Sequence, residues 1–291
     1  MKMYSDICGS ATSKPLPTGA MSQCLEAVTV MLVLAKWDFK FASVEDFKSK
    51  EKWDEAIIAK EIVPLYELYE LTSANTDAVF YESRNFKKET SKAVKITTGE
   101  SYLSFCSHAA LKSYEGTDYT KVFEVTEDGN IIGVYAADGI GVQGQSMKSF
   151  DIGIRMAATT AKPAYTPISI TYADYEELEK GAVLARPDFN PVLDLTGIFA
   201  VEFTQVGPGS ATTVVVKAAV GCGATEPLVG ADSILKLLDA SGVDQSATAV
   251  EGPDGTYTFT GTDLESGTVT TDGAHAIDDY IVEGEGTFTV A

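Results

Sequence analysis

The chain has 291 residues, with 22 Lys and Arg against 42 Asp and Glu, and its formal net charge is −20. Tight nucleic-acid binding is disfavoured, because affinity for the phosphate backbone comes largely from Lys and Arg. A hydrophobic fraction of 45% excludes a disordered chain.

The charge is unevenly distributed along the chain. From Leu195 onward the only cations are Lys217 and Lys236, against fourteen Asp and Glu, so this part carries −12 and the rest carries −8. This shift in composition predicts two domains, 1–192 and 193–291.

The first segments predict an arm followed by an apolar element. Residues 1–25 are rich in Ser, Thr, Gly and Pro, which favours an arm or loop that a neighbouring molecule orders. Ala27–Ala35 (AVTVMLVLA) is too short for a bilayer, which needs about 20 residues. It also lacks the clustered basic residues that precede the apolar core of a secretion signal. We expect a buried strand or short helix there, with no secretion signal and no membrane anchor.

One strong helix is predicted in the first domain. Ser43 is a good N-cap, and Glu45 and Asp46 complement the helix dipole in the first turn. The helix is expected to run from Val44 to about Ile62.

An aromatic hairpin and a basic segment follow the helix. Leu65–Leu71 (LYELYEL) and Ala78–Ser83 (AVFYES) predict two paired strands, half-buried in a sheet or, alternatively, offering a carbohydrate-stacking surface. Arg84–Val94 (RNFKKETSKAV) predicts a long polar hairpin or loop. Its basic residues either meet an acidic face on another copy or are only solvated.

The rest of the first domain alternates short strands and turns. A short helix is predicted at Tyr102–Ser113, and a helix or turn at Asp174–Glu179. The predicted strands are Lys95–Thr98, Lys121–Val125, Asn130–Tyr135, Asp151–Ala158 and Thr166–Tyr172. The second and third of these pair across the turn sequence Glu-Asp-Gly. The fold class of this domain is therefore α+β, an antiparallel sheet or barrel with one main helix.

The second domain is predicted to be all-β. Clusters of Gly, Pro, Asp and Ser separate short strands, as in an antiparallel sandwich of about 100 residues. The predicted strands are Gly197–Val206, Ala211–Val220, Ser233–Asp239, Ala247–Val250, Thr256–Gly261, Gly267–Thr271, Ala276–Val282 and Gly286–Val290.

The residues that usually carry chemistry are few. The cysteines are scattered and form no CxxC pair: Cys8, Cys24, Cys106 and Cys222. This pattern predicts four free thiols in a reducing compartment, and a Cys8–Cys24 bridge is the alternative. Cys106 and His108 would share a face on a strand as a nucleophile and base, but an apolar context (FCSHAAL) favours packing. His275 lies in TDGAHAIDD, which predicts a solvated acidic loop rather than a cation site.

The sequence pattern GxGxxG occurs at Gly139–Gly144 (GIGVQG). A dinucleotide site also needs a strand before it and a helix after it, and the following residues predict a strand. Glycines of a turn or subunit contact are the favoured interpretation. The sequence thus predicts no catalytic, cofactor-binding or metal residues, and no enzyme.

Two short motifs of the second domain resemble a known family. Asp254–Phe259 (DGTYTF) and Leu264–Val269 (LESGTV) are similar to immunoglobulin-like sandwich modules. Such modules occur on bacterial surface proteins and as appendages of phage capsid and tail proteins. The resemblance covers about one-third of the chain and implies an immunoglobulin-like β-sandwich.

The first domain resembles tail tube subunits of tailed phages in its organisation. It combines an N-terminal arm, one helix against a sheet, a long hairpin and the segment Ile170–Leu178 (ITYADYEEL). The resemblance implies hexameric rings that stack into a tube, an acidic lumen that conducts DNA without holding it, and loops that bridge rings.

The expected function is therefore that of a phage virion structural protein, most closely a tail tube subunit. Its expected partners are further copies of itself, neighbouring virion proteins, DNA as a passenger and host surface glycans through the second domain. It is expected in the virion, assembled in the host cytoplasm, without cofactor or membrane. The alternatives are a capsid decoration or head-fibre protein and a non-catalytic surface glycan-binding module.

Overall fold

The computed structural model describes residues 2–6, 11–12, 27–65, 67–221, 226–278 and 280–291. The chain forms two compact units, Met1–Leu195 and Thr196–Ala291. Both contain several strands, and the chain as a whole is mostly β with several sheets. None of the helices in the described ranges is long and apolar enough to cross a membrane.

The first unit combines short helices with many strands. Its described helices are α1 (Val44–Lys48), α2 (Lys50–Ile58), α3 (Phe105–Lys112), α4 (Glu177–Gly181) and α5 (Pro191–Asp194). Its described strands are β1 (Lys2–Ser5), β2 (Ala11–Thr12), β3 (Thr29–Lys36), β4 (Ile62–Pro64), β5 (Tyr69–Ser73), β6 (Val79–Ser83), β7 (Phe86–Ser91), β8 (Ile96–Ser101), β9 (Tyr119–Thr126), β10 (Ile131–Tyr135), β11 (Val142–Gln143), β12 (Gln145–Ile152), β13 (Thr166–Tyr172) and β14 (Ala182–Ala185).

Twelve of these strands form one sheet in the order β2-β1-β14-β10-β9-β12-β13-β8-β5, with β3, β4 and β11 attached beside that path. The pairs are antiparallel except β1 with β14. The predicted pairing across the Glu-Asp-Gly turn is confirmed, because Ile131 of β10 lies opposite Val125 of β9. The predicted strand Asp151–Ala158 is misplaced: β12 begins at Gln145, where it pairs with Val122.

The predicted arm is described only in part. Residues 2–5 form β1 and residues 11–12 form β2, residue 6 follows β1 in a turn, and the remainder of 1–25 lies outside the described residues. Lys48 Nζ of α1 forms a salt bridge with Asp6 Oδ2 over 2.8 Å. This part of the arm therefore belongs to the sheet.

The predicted helix from Val44 to Ile62 is wrong in its length. It is confirmed at its start, where Ser43 caps α1 by accepting from the backbone of Asp46, but Ser49 then takes an extended conformation that separates α1 from α2. Ile62 already belongs to β4. The break lets Trp53 Nε1 donate to the carbonyl of Phe47 over 2.7 Å, which packs both rings together.

The core of the first unit lies on both sides of β9. Phe123 packs against the rings of α1 and α2, while Val122 points to the other side and joins one apolar cluster with Leu34 of β3 and Ile170 of β13. Neighbouring strands of the sheet, from β3 through β9 and β12 to β13, thus share this cluster. The predicted buried strand Ala27–Ala35 is confirmed as β3.

The second unit is built from ten described strands: β15 (Ile198–Gln205), β16 (Thr213–Val220), β17 (Glu226–Pro227), β18 (Lys236–Asp239), β19 (Thr248–Glu251), β20 (Thr256–Thr260), β21 (Gly267–Thr270), β22 (His275–Ile277), β23 (Tyr280–Glu283) and β24 (Glu285–Phe288). They form a seven-stranded and a three-stranded sheet. Val216 and Tyr257 of the larger sheet share a core with Leu237 and Val269 of the smaller one. The predicted strand Ala276–Val282 is divided between β22 and β23.

Candidate functional site

The strands β5 and β8 continue beyond the sheet as one long ribbon. After their last paired residues, Ala74 donates to the carbonyl of Ile96 over 2.9 Å, and Thr76 and Val94 exchange two backbone bonds. The same two chain segments then pair as β6 and β7. The predicted pairing of Leu65–Leu71 with Ala78–Ser83 is therefore wrong. The strand β5 pairs with β8, and β6 pairs with β7, so both partners follow the turn that begins at Arg84.

The end of this ribbon, Val79–Ser91, is called the hairpin. Every residue of β6 and β7 is exposed, including Val79 at 58%, Tyr81 at 60% and Phe86 at 53%. A two-stranded hairpin is only marginally stable in water by itself. Large apolar side chains without cover also mark an interaction surface.

The two faces of the hairpin differ in their chemistry. On one face, the rings of Tyr81 and Phe86 lie 6.5 Å apart, and Lys88 stands opposite Tyr81. On the other face, Lys87 covers the ring of Phe80 at 4.8 Å and pairs with Glu82 at 3.7 Å. Among the described residues, Lys88 has no ion-pair partner, so its charge is available to another molecule.

A cleft of about 560 Å³ lies on the outer face of β5, β8, β13 and β12. Its lining includes carboxylates, hydroxyls and one tyrosine ring from Glu70, Thr72, Thr98, Glu100, Asp151, Ser169 and Tyr165, and glycine and apolar residues complete it. Its hydroxyls form a row across the strands, where Thr72 and Thr98 bond over 2.8 Å. Ser149 donates to Asp151 over 2.7 Å.

One lysine neutralises part of the charge of the cleft. Lys162 Nζ bonds Glu70 Oε2 at 2.9 Å and also pairs with Glu100, and its side chain lies over the ring of Tyr165. Hydrogen bonds to Glu100 and Glu70 raise the pKa of Lys162, so it remains a cation. Asp151 has no cation partner within the described part of the chain, and the cleft keeps an excess of negative charge.

A partly buried polar network joins five segments of the first unit. Glu124 Oε1 accepts from Lys95, Gln145 and Tyr172 at 3.1, 2.9 and 2.8 Å, and its Oε2 accepts from Thr29 at 3.1 Å. Burial opposes ionisation of Glu124, but the charge of Lys95 and the donated hydrogen bonds lower its pKa below the ordinary value. Burial, followed by the charge of Glu124, raises the pKa of Tyr172. The network holds a carboxylate, an ammonium and a neutral phenol together at a partly buried position.

The structure separates the predicted nucleophile and base. Cys106 and His108 lie on α3, not on a strand, and residues two apart on a helix point in different directions. His108 Nδ1 lies 3.0 Å from Thr166 Oγ1. Cys106 is disulfide-bonded, so the prediction of four free thiols is wrong for this residue. The other cysteines lie outside the described residues.

The structure also places His275 and the glycine segment Gly139–Gly144 within or beside strands. His275 is in β22, with Nε2 3.4 Å from the carbonyl of Asp272, and within the described ranges no group of three His, Cys, Asp or Glu could hold a metal ion. The strand β12 follows Gly144 directly, so the glycine segment does not lead into a helix. A Cβ at Gly144 would lie 2.8 Å from the backbone of Val122, which explains this glycine by close packing.

The sequence pointed to Arg84–Val94 as a basic hairpin or loop, but it did not point to the cleft. The basic character of Arg84–Val94 was a usable signal for the hairpin, whereas the cleft depends on strand pairings that the sequence does not reveal. No protein family matches the chain, and no curated protein is similar to it.

Proposed function

We propose that the protein is a structural subunit that associates with further copies of itself, as a tail tube subunit of a tailed phage does. The exposed hairpin is the observation that carries this proposal. Its aromatic side chains and its cation Lys88 have the chemistry of a contact surface, and burying them in a neighbour would stabilise the hairpin.

The charge of the chain favours a second copy as the partner. The hairpin contains Arg84, Lys87 and Lys88 against Glu82 and Glu89, while the whole chain carries −20. A locally basic element on an acidic protein is attracted to other copies of that protein. Such a contact between two different surfaces repeats from copy to copy and builds rings or filaments.

The acidic composition agrees with a tube that conducts DNA. A lumen formed by a protein of net charge −20 repels the phosphate backbone, so DNA passes as cargo without binding tightly. In this function the subunit belongs to the virion, is assembled in the host cytoplasm, and contacts neighbouring virion proteins at the ends of the tube.

The second unit serves in this proposal as an immunoglobulin-like module on the outside of the tube. Its two sheets share one core, as the sheets of a β-sandwich do. We assign host surface glycans as its binding partners, in line with the resemblance of Asp254–Phe259 and Leu264–Val269 to such modules.

The test is assembly of the concentrated full-length protein, followed by sedimentation velocity and negative-stain electron microscopy. Rings or tubes are expected for the unchanged protein, and mostly monomers for the double variant Tyr81→Ser with Phe86→Ser. The control variant Val243→Ser with Val250→Ser changes two similarly exposed side chains of the second unit and is expected to assemble normally. An unchanged protein that stays monomeric at high concentration contradicts the proposal.

A further inference from the structure

The hairpin and the cleft lie at opposite ends of the same ribbon. The hairpin continues from the amino end of β8, beyond Ile96, while the cleft lies toward its carboxyl end, where Thr98 and Glu100 face outward. Along β7 and β8, Phe86 and Thr98 are separated by roughly 40 Å at about 3.3 Å per residue. The hairpin therefore points away from the cleft of its own copy.

The two surfaces are complementary in charge. One face of the hairpin presents Lys88 without an ion-pair partner in the described part of the chain, beside the rings of Tyr81 and Phe86. The cleft presents Asp151, which also has no cation partner among the described residues, together with two carboxylates, on β5 and β8, that share the single ammonium of Lys162. Opposite charges on surfaces of suitable size fix the register of a contact.

The cleft has room for an aromatic side chain. Its volume of about 560 Å³ and its rim of Thr72, Thr98 and Ser169 provide a concave surface with hydrogen-bonding groups around it. Aromatic side chains buried in such pockets commonly carry most of the energy of an interface. Phe86 is next to the turn of the hairpin, in the position that enters first.

We infer that the hairpin of one copy binds in the cleft of the next copy, so that copies join head to tail along the direction of β8. This inference rests on the proposed self-assembly and adds the surface that receives the hairpin. The hairpin and the cleft are different surfaces at opposite ends of the ribbon. A copy that has bound one neighbour through its hairpin therefore still has a free cleft that can bind another, and the reverse also holds.

A charge exchange tests the contact in the full-length protein. Lys88→Glu and Asp151→Lys are each expected to weaken association about tenfold or more, because each places like charges against one another. The double variant Lys88→Glu with Asp151→Lys is expected to recover association. The matched control Lys88→Glu with Asp232→Lys has the same net charge, but its new lysine is in the second unit and does not line the cleft, so it is expected to stay weak.

The outcomes separate this inference from the proposed function. If Lys88→Glu weakens association while Asp151→Lys does not, or if both double variants recover equally, the cleft is not the receiving surface and self-assembly through the hairpin stands. If neither hairpin change, Lys88→Glu or Tyr81→Ser with Phe86→Ser, affects association, the proposed function falls as well.

A second measurement locates the contact without relying on affinity. Phe86→benzoylphenylalanine places a photoreactive group at the tip of the hairpin, and irradiation of the assembled protein is expected to link it to peptides covering 70–72, 98–100 or 148–170 of another copy. Links found only to other segments would overturn the assignment of the cleft.

Discussion

The ammonium of Lys95 lies 3.1 Å from Glu124 Oε1, inside a network that connects β3, β9, β12 and β13. This pair is the strongest candidate for a contact on which the first unit depends. Replacing Glu124 by Gln keeps the shape of the side chain but removes the negative charge opposite the ammonium of Lys95, which keeps its bond to Gln145 Oε1 at 3.3 Å. We expect Glu124→Gln to lower the free energy of unfolding by about 2–3 kcal/mol in urea denaturation.

The matched control is Glu55→Gln, which breaks the exposed pair with Lys52. It is expected to change the free energy of unfolding very little. Equal losses in Glu124→Gln and Glu55→Gln would show that burial of the network does not matter.

The same carboxylate predicts a dependence on pH. Because the folded protein holds the pKa of Glu124 below its ordinary value of 4.5, the unfolded chain takes up this proton first as the pH falls. The stability from Glu124 is present above about pH 4.5 and is lost on further acidification. The difference in unfolding free energy between the unchanged protein and Glu124→Gln should therefore shrink below that pH, and a constant difference would contradict the assigned shift.

Gly144 provides a test of close packing. Gly144→Ala would bring a Cβ to 2.8 Å from backbone atoms of Val122, and we expect it to lower the free energy of unfolding by about 2–3 kcal/mol. Gly116→Ala is the control, because Gly116 has open space around it and only a positive φ of 69°. It is expected to cost about 1 kcal/mol. A reversed order of the two melting temperatures would argue against the close approach of β9 and Gly144.

The disulfide bond of Cys106 can be checked by mass spectrometry. Digestion without reduction is expected to give the peptide containing Cys106 linked to a second cysteine-containing peptide. Treatment with a reductant before digestion should release it. Quantitative alkylation of Cys106 in the unreduced, denatured protein would show that the residue is a free thiol after all.

Exposure of the hairpin predicts how trypsin attacks the protein. The turn at Arg84 and the neighbouring Lys87 and Lys88 lie entirely on the surface, and exposed tips are preferred sites of proteolysis. Cleavage there is expected to be fast in dilute solution and at least several-fold slower after assembly. Equal rates in both states would mean that assembly leaves the hairpin uncovered.

Local signals predicted much of the secondary structure. The apolar run ending at Ala35 and the Glu-Asp-Gly turn after Thr126 each determine a strand or hairpin from neighbouring residues alone. The break at Ser49 was missed because a serine within an amphipathic pattern gives no warning that its backbone becomes extended. The break occurs together with the packing of Trp53 against Phe47, a contact that the local pattern does not show.

The candidate surfaces were harder to predict than the strands. Glu124, Lys95 and Tyr172 are far apart in the sequence, and only the order of the strands brings them together. The hairpin shows the same difficulty, since the aromatic pattern of Ala78–Ser83 fits equally well with either neighbouring segment as its partner. Strand pairing is a long-range property, and it determines which residues come together to line the cleft.

The continuity of the ribbon has a mechanical consequence. Tension applied to the hairpin along its strands passes through the backbone into β8, whose six residues are all paired with β13 from Ser101 to Ile96. Such a load shears these hydrogen bonds together and does not open them one after another. A neighbouring copy that pulled on the hairpin would therefore load the β8–β13 pairing, one strand in from the β5 edge of the sheet, where six residue pairs resist together before the subunit can extend.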